Sequence, residues 1–194
     1  MSTGIGIGIS SNVFQTRAGL ASGGGGSSLL LDLYGSDVLG AYSLRKLSSG
    51  YAGSAVRVRR TSDNTEQDIG FDASSNLDTS TLTTFLGGSD GFITKWYDQS
   101  GNSRDGSQTN ASKQFIIATA GVIETKNGLP TTRGGQNKHV DISGFPTTSQ
   151  PITTFDVYAH SSAGGAGTDS TFVSKVSTAN FIRTDYRRFV RVGV

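Results

Sequence analysis

Residues 41–106 contain the pattern from which the rest of the fold is predicted. They read AYSLRKLSSGYAGSAVRVRRTSDNTEQDIGF over residues 41–71 and TLTTFLGGSDGFITKWYDQSGNSRDG over residues 81–106. Each half has a short apolar segment, a glycine break and then a strand-like run. The strongest of these runs, residues 92–97, carries the single tryptophan of the chain. We therefore predict two repeats of helix, glycine and strand.

The helices of this repeat are predicted from caps and spacing. The first runs from about Val38 to Leu47, where Leu39, Tyr42 and Leu47 would share one face. The second follows a cap at Asp78 or Thr79, and Gly87 ends it. Before the first helix, the apolar run at residues 29–34 reads as a buried strand.

Short strands with polar turns between them cover the rest of the sequence. Residues 55–60 alternate, so Val56 and Val58 should face the core while Arg57 and Arg59 face outwards or into a groove. The other predicted strands are residues 68–71, 115–118, 121–123, 139–142, 153–159, 172–176, 181–183 and 188–192. This spacing predicts a mainly β fold, a jelly-roll or concanavalin-like β-sandwich with short helices.

Composition supports a turn-rich β protein and argues against several classes of function. The 194 residues include 27 glycines, and charged residues make up 16%, below the average for globular domains. A net charge of +2 is weak for a nucleic-acid-binding protein, so we expect no nucleic-acid partner. No run is long enough for a membrane span, and no secretory signal is recognisable. Because cysteine is absent, there can be neither disulfides nor a thiolate metal site.

The N-terminal residues differ from the remainder. Gly and Ile alternate around Ile5, Ile7 and Ile9, which places the three isoleucines on one side of an extended segment. Gly23–Gly26 reads as a flexible linker. We predict an extended arm and linker over residues 1–28 and a β-sandwich domain over residues 29–194. The arm would either be a flexible leader or pair with a neighbouring subunit to form a homo-oligomer.

The polar turn after residues 92–97 is the candidate ligand site. Tyr97, Asp98, Gln99, Asn102 and Arg104 combine an aromatic ring with planar polar groups, the mixture that binds sugar hydroxyls. The alternative is structural, with the tryptophan packed in the core and the aspartate accepting backbone hydrogen bonds as an Asx-turn.

Metal binding is the weaker interpretation of this turn. Asp98, Asn102 and Asp105 offer oxygen ligands that suit Ca²⁺, but their spacing is not that of an EF-hand. A hydrogen-bonded turn explains the same residues. His139 and His160 are isolated in sequence. We therefore predict no cofactor and no metal.

Glycoside hydrolysis would need two carboxyl groups on opposite sides of the scissile bond. Glutamate is scarce, since Glu66 and Glu124 are the two in the chain. The candidate acids are Asp98, Asp105, Glu124, Asp141 and Asp156. No two of them can be assigned as a pair from sequence, so we predict no catalytic residue.

Residues 41–106 also resemble the catalytic domain of α-L-arabinofuranosidase B. The matching features are the Ser-Gly-Tyr at residues 49–51, VRVRRTSD at residues 56–63, WYDQSGN at residues 96–102 and NGLP at residues 127–130. The resemblance covers about residues 38–145 and implies a concanavalin-like β-sandwich. Similar domains occur in bacteriophage virion proteins. The enzymes contain disulfides, which this chain lacks, and their catalytic carboxylates lie beyond the matched segment.

Three functions follow as hypotheses. The main prediction is a bacteriophage virion protein, such as a tail-fibre, head-fibre or decoration subunit. It would contact other virion proteins and itself through the arm, and bind a host-surface glycan. The first alternative is a glycoside hydrolase acting on arabinose-containing or host-surface polysaccharide. The second is a carbohydrate-binding module.

Overall fold

The computed structural model describes residues 28–35, 38–135 and 137–144, together with the backbone of residues 182–184 and 190–192. Its helices are α1 (Leu30–Tyr34) and α2 (Thr79–Leu86), with a 3₁₀ turn at Ala111–Lys113. Its strands are β1 (Val56–Arg60), β2 (Glu66–Ile69), β3 (Gly91–Trp96), β4 (Gly106–Ser107), β5 (Phe115–Thr119), β6 (Val122–Ile123), β7 (Thr125–Lys126), β8 (Leu129–Pro130), β9 (Asp141–Ile142), β10 (Ile182–Thr184) and β11 (Val190–Val192).

In the described part of the chain, seven strands form one antiparallel sheet around β3. β1 pairs with one edge of β3, and β2 pairs with β1. β4 and β5 share the other edge, β4 beside the end of β3 and β5 beside its start. β9 continues from β4 and β6 from β5. The predicted class, mainly β with short helices, is confirmed.

The two sides of this sheet differ in chemistry because side chains alternate along each strand. Val56 and Val58 pair with Trp96 and Ile93 and are buried. On the other side, Arg57 pairs with Lys95, and Arg59 with Phe92. The buried apolar residues are Ala55, Val56, Val58, Ile69, Leu77, Leu82, Phe85, Leu86, Ile93, Trp96, Phe115, Ile117, Ala118, Val140 and Ile142. The predicted orientation of β1 is therefore confirmed.

Helix α2 covers the apolar side of the sheet. Asp78 is its cap, since one carboxylate oxygen accepts from the Thr81 backbone N–H at 2.9 Å and the other from the Thr81 hydroxyl at 2.7 Å. Gly87 ends it with φ of 54°. A Cβ at Gly91 would lie 2.9 Å from the Leu86 side chain, which shows how closely helix and strand approach. The prediction of this helix is confirmed at both ends.

The predictions for residues 29–34 and 38–47 are wrong. Residues 30–34 form helix α1 instead of a buried strand, and several of its apolar side chains are exposed. Leucine has a high helix propensity. Because these side chains are exposed, burial in a sheet does not compensate for that preference. Described residues 38–47 contain no helix, because their backbone groups bond to a distant loop. The helix–glycine–strand repeat therefore holds only for its second copy.

Polar turns between strands, as predicted, are present at two places. The turn between β1 and β2 has Asn64 at φ of 59°, and Asn127 and Gly128, at 52° and 78°, connect β7 to β8.

Within the described residues, no helix is both apolar and long enough to cross a bilayer. The predicted strands at residues 153–159 and 172–176 and most of the predicted arm, with Ile5, Ile7 and Ile9, lie outside the described residues. The predicted division at residue 28 stays a prediction.

Candidate functional site

The loop after β3 is held by a buried aspartate. One Asp98 oxygen accepts the backbone N–H of Ala41 at 2.8 Å and of Ser100 at 2.9 Å. Its other oxygen accepts the Ser100 hydroxyl at 2.8 Å and the Arg104 N–H at 3.1 Å. The bond to the residue two positions ahead confirms the predicted Asx-turn. Both carboxylate oxygens of Asp98 are thus occupied by hydrogen bonds from the chain itself.

Gln99 extends this arrangement along residues 41–47. Its amide oxygen accepts the Leu47 N–H at 2.8 Å, and its amide nitrogen donates to the carbonyls of Ser43 and Arg45, both at 3.0 Å. Gln99 is 3% exposed, so its side-chain amide is buried. Backbone groups that a helix over residues 38–47 would use internally are bonded to this glutamine instead.

Asn102 and Arg104 complete the attachment. The Asn102 amide donates to the Val38 carbonyl at 2.8 Å. The Arg104 guanidinium donates to the carbonyls of Leu39 and of Gly144, the second at 2.9 Å. We call Asp98, Gln99, Asn102 and Arg104 the polar clasp. It attaches residues 38–47 and the residues that follow β9 to the loop after β3.

Tyr97, the fifth predicted ligand residue, lies on the side of the sheet that faces away from the core. Its hydroxyl donates to Asp68 at 2.7 Å, and the same carboxylate receives two bonds from Arg57, at 2.7 and 2.8 Å. The guanidinium holds the pKa of Asp68 below its ordinary value. Burial, followed by the bond to Asp68, raises the pKa of Tyr97 to about 12. Tyr97 is therefore a neutral donor across the physiological range.

A second ion pair lies beside the ring. Lys95 Nζ is 5.3 Å from the Tyr97 ring centroid and 3.5 Å from an Asp105 oxygen. The other Asp105 oxygen accepts the Asp98 N–H at 3.0 Å, which links this pair to the polar clasp. We call Arg57, Asp68, Lys95, Tyr97 and Asp105 the polar face. All five side chains remain partly accessible to solvent.

The structure thus divides the predicted site residues. Tyr97 joins the polar face, while the other four form the polar clasp, and their role in ligand binding stays a prediction. Sequence reasoning missed Asp68, Lys95 and Asp105 as neighbours of Tyr97. The alternation in β1 indicated that Arg57 faces outwards, but its partners follow from strand register, which no single strand reveals. Trp96 packs in the core, as the structural alternative predicted.

The other candidate acids occupy separate places. Glu124 accepts from Arg133 and from the Thr119 hydroxyl, beyond β5. Asp141 lies in β9, 69% exposed, with His139 Nε2 at 3.8 Å. Asp156 lies outside the described residues. Among the described residues, no three His, Asp or Glu side chains are grouped as metal ligands. The weak calcium hypothesis for Asp98, Asn102 and Asp105 stays untested.

Comparison with known proteins identifies a family. The family model described as "Alpha-L-arabinofuranosidase B, catalytic" matches residues 32–174, more than half of the chain. Two solved structures also match, a GH54 α-L-arabinofuranosidase soaked with a cyclic sulfate inhibitor and an arabinofuranosidase complexed with arabinofuranosyl-α-1,2-xylobiose. Each is 35% identical, with a TM-score of 0.34, over 36% of this chain and 15% of that chain. The match therefore spans a small part of those enzymes. No curated protein matches.

Proposed function

The chain belongs to the family of α-L-arabinofuranosidase B catalytic domains, and we propose that it acts as a glycoside hydrolase on polysaccharides that carry arabinofuranosyl groups. The observation that carries this proposal is the family match over residues 32–174. The proposed reaction breaks the bond between the anomeric carbon and the bridging oxygen. Water supplies a hydroxyl to the anomeric carbon and a proton to the leaving oxygen.

The polar face supports the recognition of a sugar. Tyr97 offers an aromatic ring with a neutral hydroxyl, and the Arg57–Asp68 pair offers fixed donors and acceptors. Sugar rings present C–H groups to aromatic surfaces and hydroxyls to planar polar groups. Because the ion pairs hold these side chains in place, a sugar would meet a preorganised surface. We propose Tyr97 and its neighbours as a contact for the polysaccharide.

The catalytic pair stays unassigned. Asp98 is committed to the polar clasp and Glu124 to Arg133, so neither is a free general acid in this arrangement. Asp105 and Asp141 are more accessible, and Asp156 is outside the described residues. We therefore assign no catalytic pair among the described carboxylates.

Release of arabinose tests the proposal. The purified chain is incubated with 4-nitrophenyl α-L-arabinofuranoside and with arabinoxylan, and free arabinose is measured by chromatography. We expect release from both substrates, and the Tyr97→Ala variant should raise KM for arabinoxylan more than it lowers kcat. Binding of arabinoxylan without release of arabinose would instead favour the carbohydrate-binding module. If the chain neither binds arabinoxylan nor releases arabinose, both the hydrolase and the carbohydrate-binding module are contradicted.

The virion function has less support than the hydrolase. The family and the two structures named above concern arabinofuranosidases, and none concerns a virion protein. The predicted assembly residues Ile5, Ile7 and Ile9 lie outside the described residues. The virion location, the self-association and the host-glycan partner therefore remain predictions. Comparing the solution mass of the full chain with that of a variant lacking residues 1–28 would test the assembly role of the arm.

A further inference from the structure

Two cations lie close to the ring of Phe92, on the same side of the sheet as the polar face. The Arg59 guanidinium carbon is 5.2 Å from its ring centroid, and Lys138 Nζ is 5.8 Å from it. Arg59 stands directly across from Phe92 in the pairing of β1 with β3. Lys138 comes from the segment that precedes β9. We call Arg59, Phe92, Gln114 and Lys138 the cation–aromatic cluster.

Both cations bind neutral oxygens. Arg59 donates from Nε and Nη2 to the Gln114 side-chain oxygen at 3.1 and 3.0 Å, and from Nη1 to Asn64 at 2.7 Å. Lys138 donates to the Gln114 carbonyl at 2.9 Å and to the Ser112 carbonyl at 3.4 Å. Gln114 is 2% exposed and therefore positions both cations rigidly.

No carboxylate of the described residues forms a salt bridge with either cation. On the same side of the sheet, Arg57 and Lys95 are each paired with an aspartate, whereas Arg59 and Lys138 are not. The nearest acid by strand register is Glu66, opposite Arg59, which is exposed and makes no salt bridge with it. Burial and then the charge of Arg133 lower the pKa of Lys138, as expected where positive charge is not compensated.

The cluster keeps hydrogen-bonding capacity for a ligand. A guanidinium has five N–H groups, and Arg59 uses three of them within the described residues. An ammonium has three, and Lys138 uses two. A carboxylate accepts from several such donors at once, and these charge-assisted bonds are stronger than neutral ones. The apolar ring of Phe92 lies beside these donors.

We propose that the cation–aromatic cluster binds the carboxylate of a uronic acid residue, with Phe92 packing against the sugar ring. The inference rests on the proposed function for the nature of the ligand, a polysaccharide. It adds that the preferred substrate is acidic. Arg59 and Lys138 supply the charge and the donors, Gln114 holds them, and Phe92 selects a carboxylate that is attached to a ring over a free inorganic anion.

The test compares one polysaccharide in two forms. Glucuronoarabinoxylan is used directly and after chemical reduction of its carboxyl groups, which leaves a neutral polymer of the same backbone. Affinity electrophoresis of the full chain, at low and at high salt, measures binding to each. We expect the acidic form to bind about tenfold more tightly at low salt. This preference should shrink at high salt because ions screen the charges.

Matched variants identify the residues responsible. Lys138→Gln removes the charge but keeps a donor for the Gln114 carbonyl, and should reduce the preference to near one. Arg59→Gln should act in the same direction. Lys126→Gln removes an equal charge from an exposed position in β7 and should leave the preference unchanged. Glu66→Gln removes the nearby acid and should increase the preference.

The outcomes separate this inference from the proposed function. Equal binding of both polymers by the unmodified chain would overturn the inference, and so would a preference that survives in both cluster variants. Arabinose release from a neutral substrate with no acidic preference would overturn the inference alone. An acidic preference that depends on Lys138, without any hydrolysis, would support the inference and contradict the proposed function.

Discussion

At the scale of single residues, Asp98 shows why an acidic residue in a sugar-active family is not automatically catalytic. It is 4% exposed and accepts four hydrogen bonds, from Ala41 and from Ser100 and Arg104 of its own loop. A buried carboxylate with this set of partners stabilises the loop, since each donor would otherwise be left unsatisfied. Asp98 therefore carries a structural role that residue type alone does not reveal.

Replacing Asp98 tests this role. Asp98→Ala should lower the free energy of unfolding by about 3 kcal/mol, because three partly buried backbone N–H groups lose a charged acceptor. Urea denaturation followed by tryptophan fluorescence measures the change. As a control, Asp141→Ala, at a position 69% exposed, should stay within about 0.5 kcal/mol of the unmodified chain. Equal effects of the two substitutions would contradict the structural role of Asp98.

The ionisation of the Tyr97 hydroxyl can be identified in a titration of the protein. Its pKa is raised from 10.0 to about 12, chiefly by burial and then by the bond to Asp68. A raised pKa means that folding favours the protonated Tyr97 hydroxyl. The protonated hydroxyl therefore contributes fully to the free energy of unfolding below pH 10, and this contribution is lost as the pH rises through about 12. Ultraviolet titration of the Tyr97→Phe variant should lack one tyrosine that ionises near pH 12. An unchanged curve at that pH would count against the assignment.

At the scale of elements, helix α2 forms a helix where the sequence pattern predicts one, and residues 38–47 do not. Both have apolar residues at helical spacing. In α2 the cap, the helix and the closing glycine agree, and Leu82, Phe85 and Leu86 pack on the sheet. In residues 38–47 the backbone is bonded to Asp98 and Gln99, which lie more than 50 positions away. Tertiary hydrogen bonds therefore override the local preference there.

The cap of α2 can be tested by itself. Asp78→Ala should cost about 1 kcal/mol, because the Thr81 N–H loses its acceptor at the start of the helix. Thermal denaturation followed by circular dichroism measures the loss. The control is Ser80→Ala, an exposed position in the same helical turn that should be neutral or slightly stabilising. If Asp78→Ala proves as neutral as the control, the cap contributes nothing to the helix.

At the scale of the whole molecule, carboxylate–cation pairs connect neighbouring elements of the fold. Arg57 and Asp68 connect β1 with β2, Lys95 and Asp105 connect β3 with the loop that follows it, and Arg60 and Asp63 close the first turn. The pKa of Asp63 is held well below its usual range, first by Arg60 and then by the Thr65 N–H. These pairs make the stability of the domain sensitive to acid.

Acid should destabilise the fold as a whole. The pKa values of Asp63, Asp68 and Asp78 are lowered on folding, from 3.8 in each case. The resulting stability is present above about pH 4 and is lost as the pH falls through the lower values of the folded state. Urea midpoints should therefore change little between pH 7 and pH 5 and fall markedly by pH 3. An equal midpoint at pH 7 and pH 3 would be inconsistent with these shifts.

Much of the fold was predictable because local physics determines it. Alternation orients β1, the Asn127–Gly128 pair forms the hairpin between β7 and β8, and Asp78 and Gly87 delimit α2. The candidate site was predicted in part. Tyr97 was identified, but Asp68 and Lys95 were not, since they meet through the register of three strands. Such pairing depends on residues far apart in sequence, and short-range patterns do not contain it.

Neighbouring residues are enough to predict the mainly β class, the polar turn after β3 and the resemblance to arabinofuranosidase B. The role of each polar side chain depends on contacts that form only in the folded chain. The fold turns Asp98 and Gln99 inwards, where they hold residues 38–47, and leaves Arg59, Phe92, Tyr97 and Lys138 partly accessible. The physical reason is that a buried hydrogen-bonding group must find a partner wherever the fold provides one. That partner can lie anywhere in the chain.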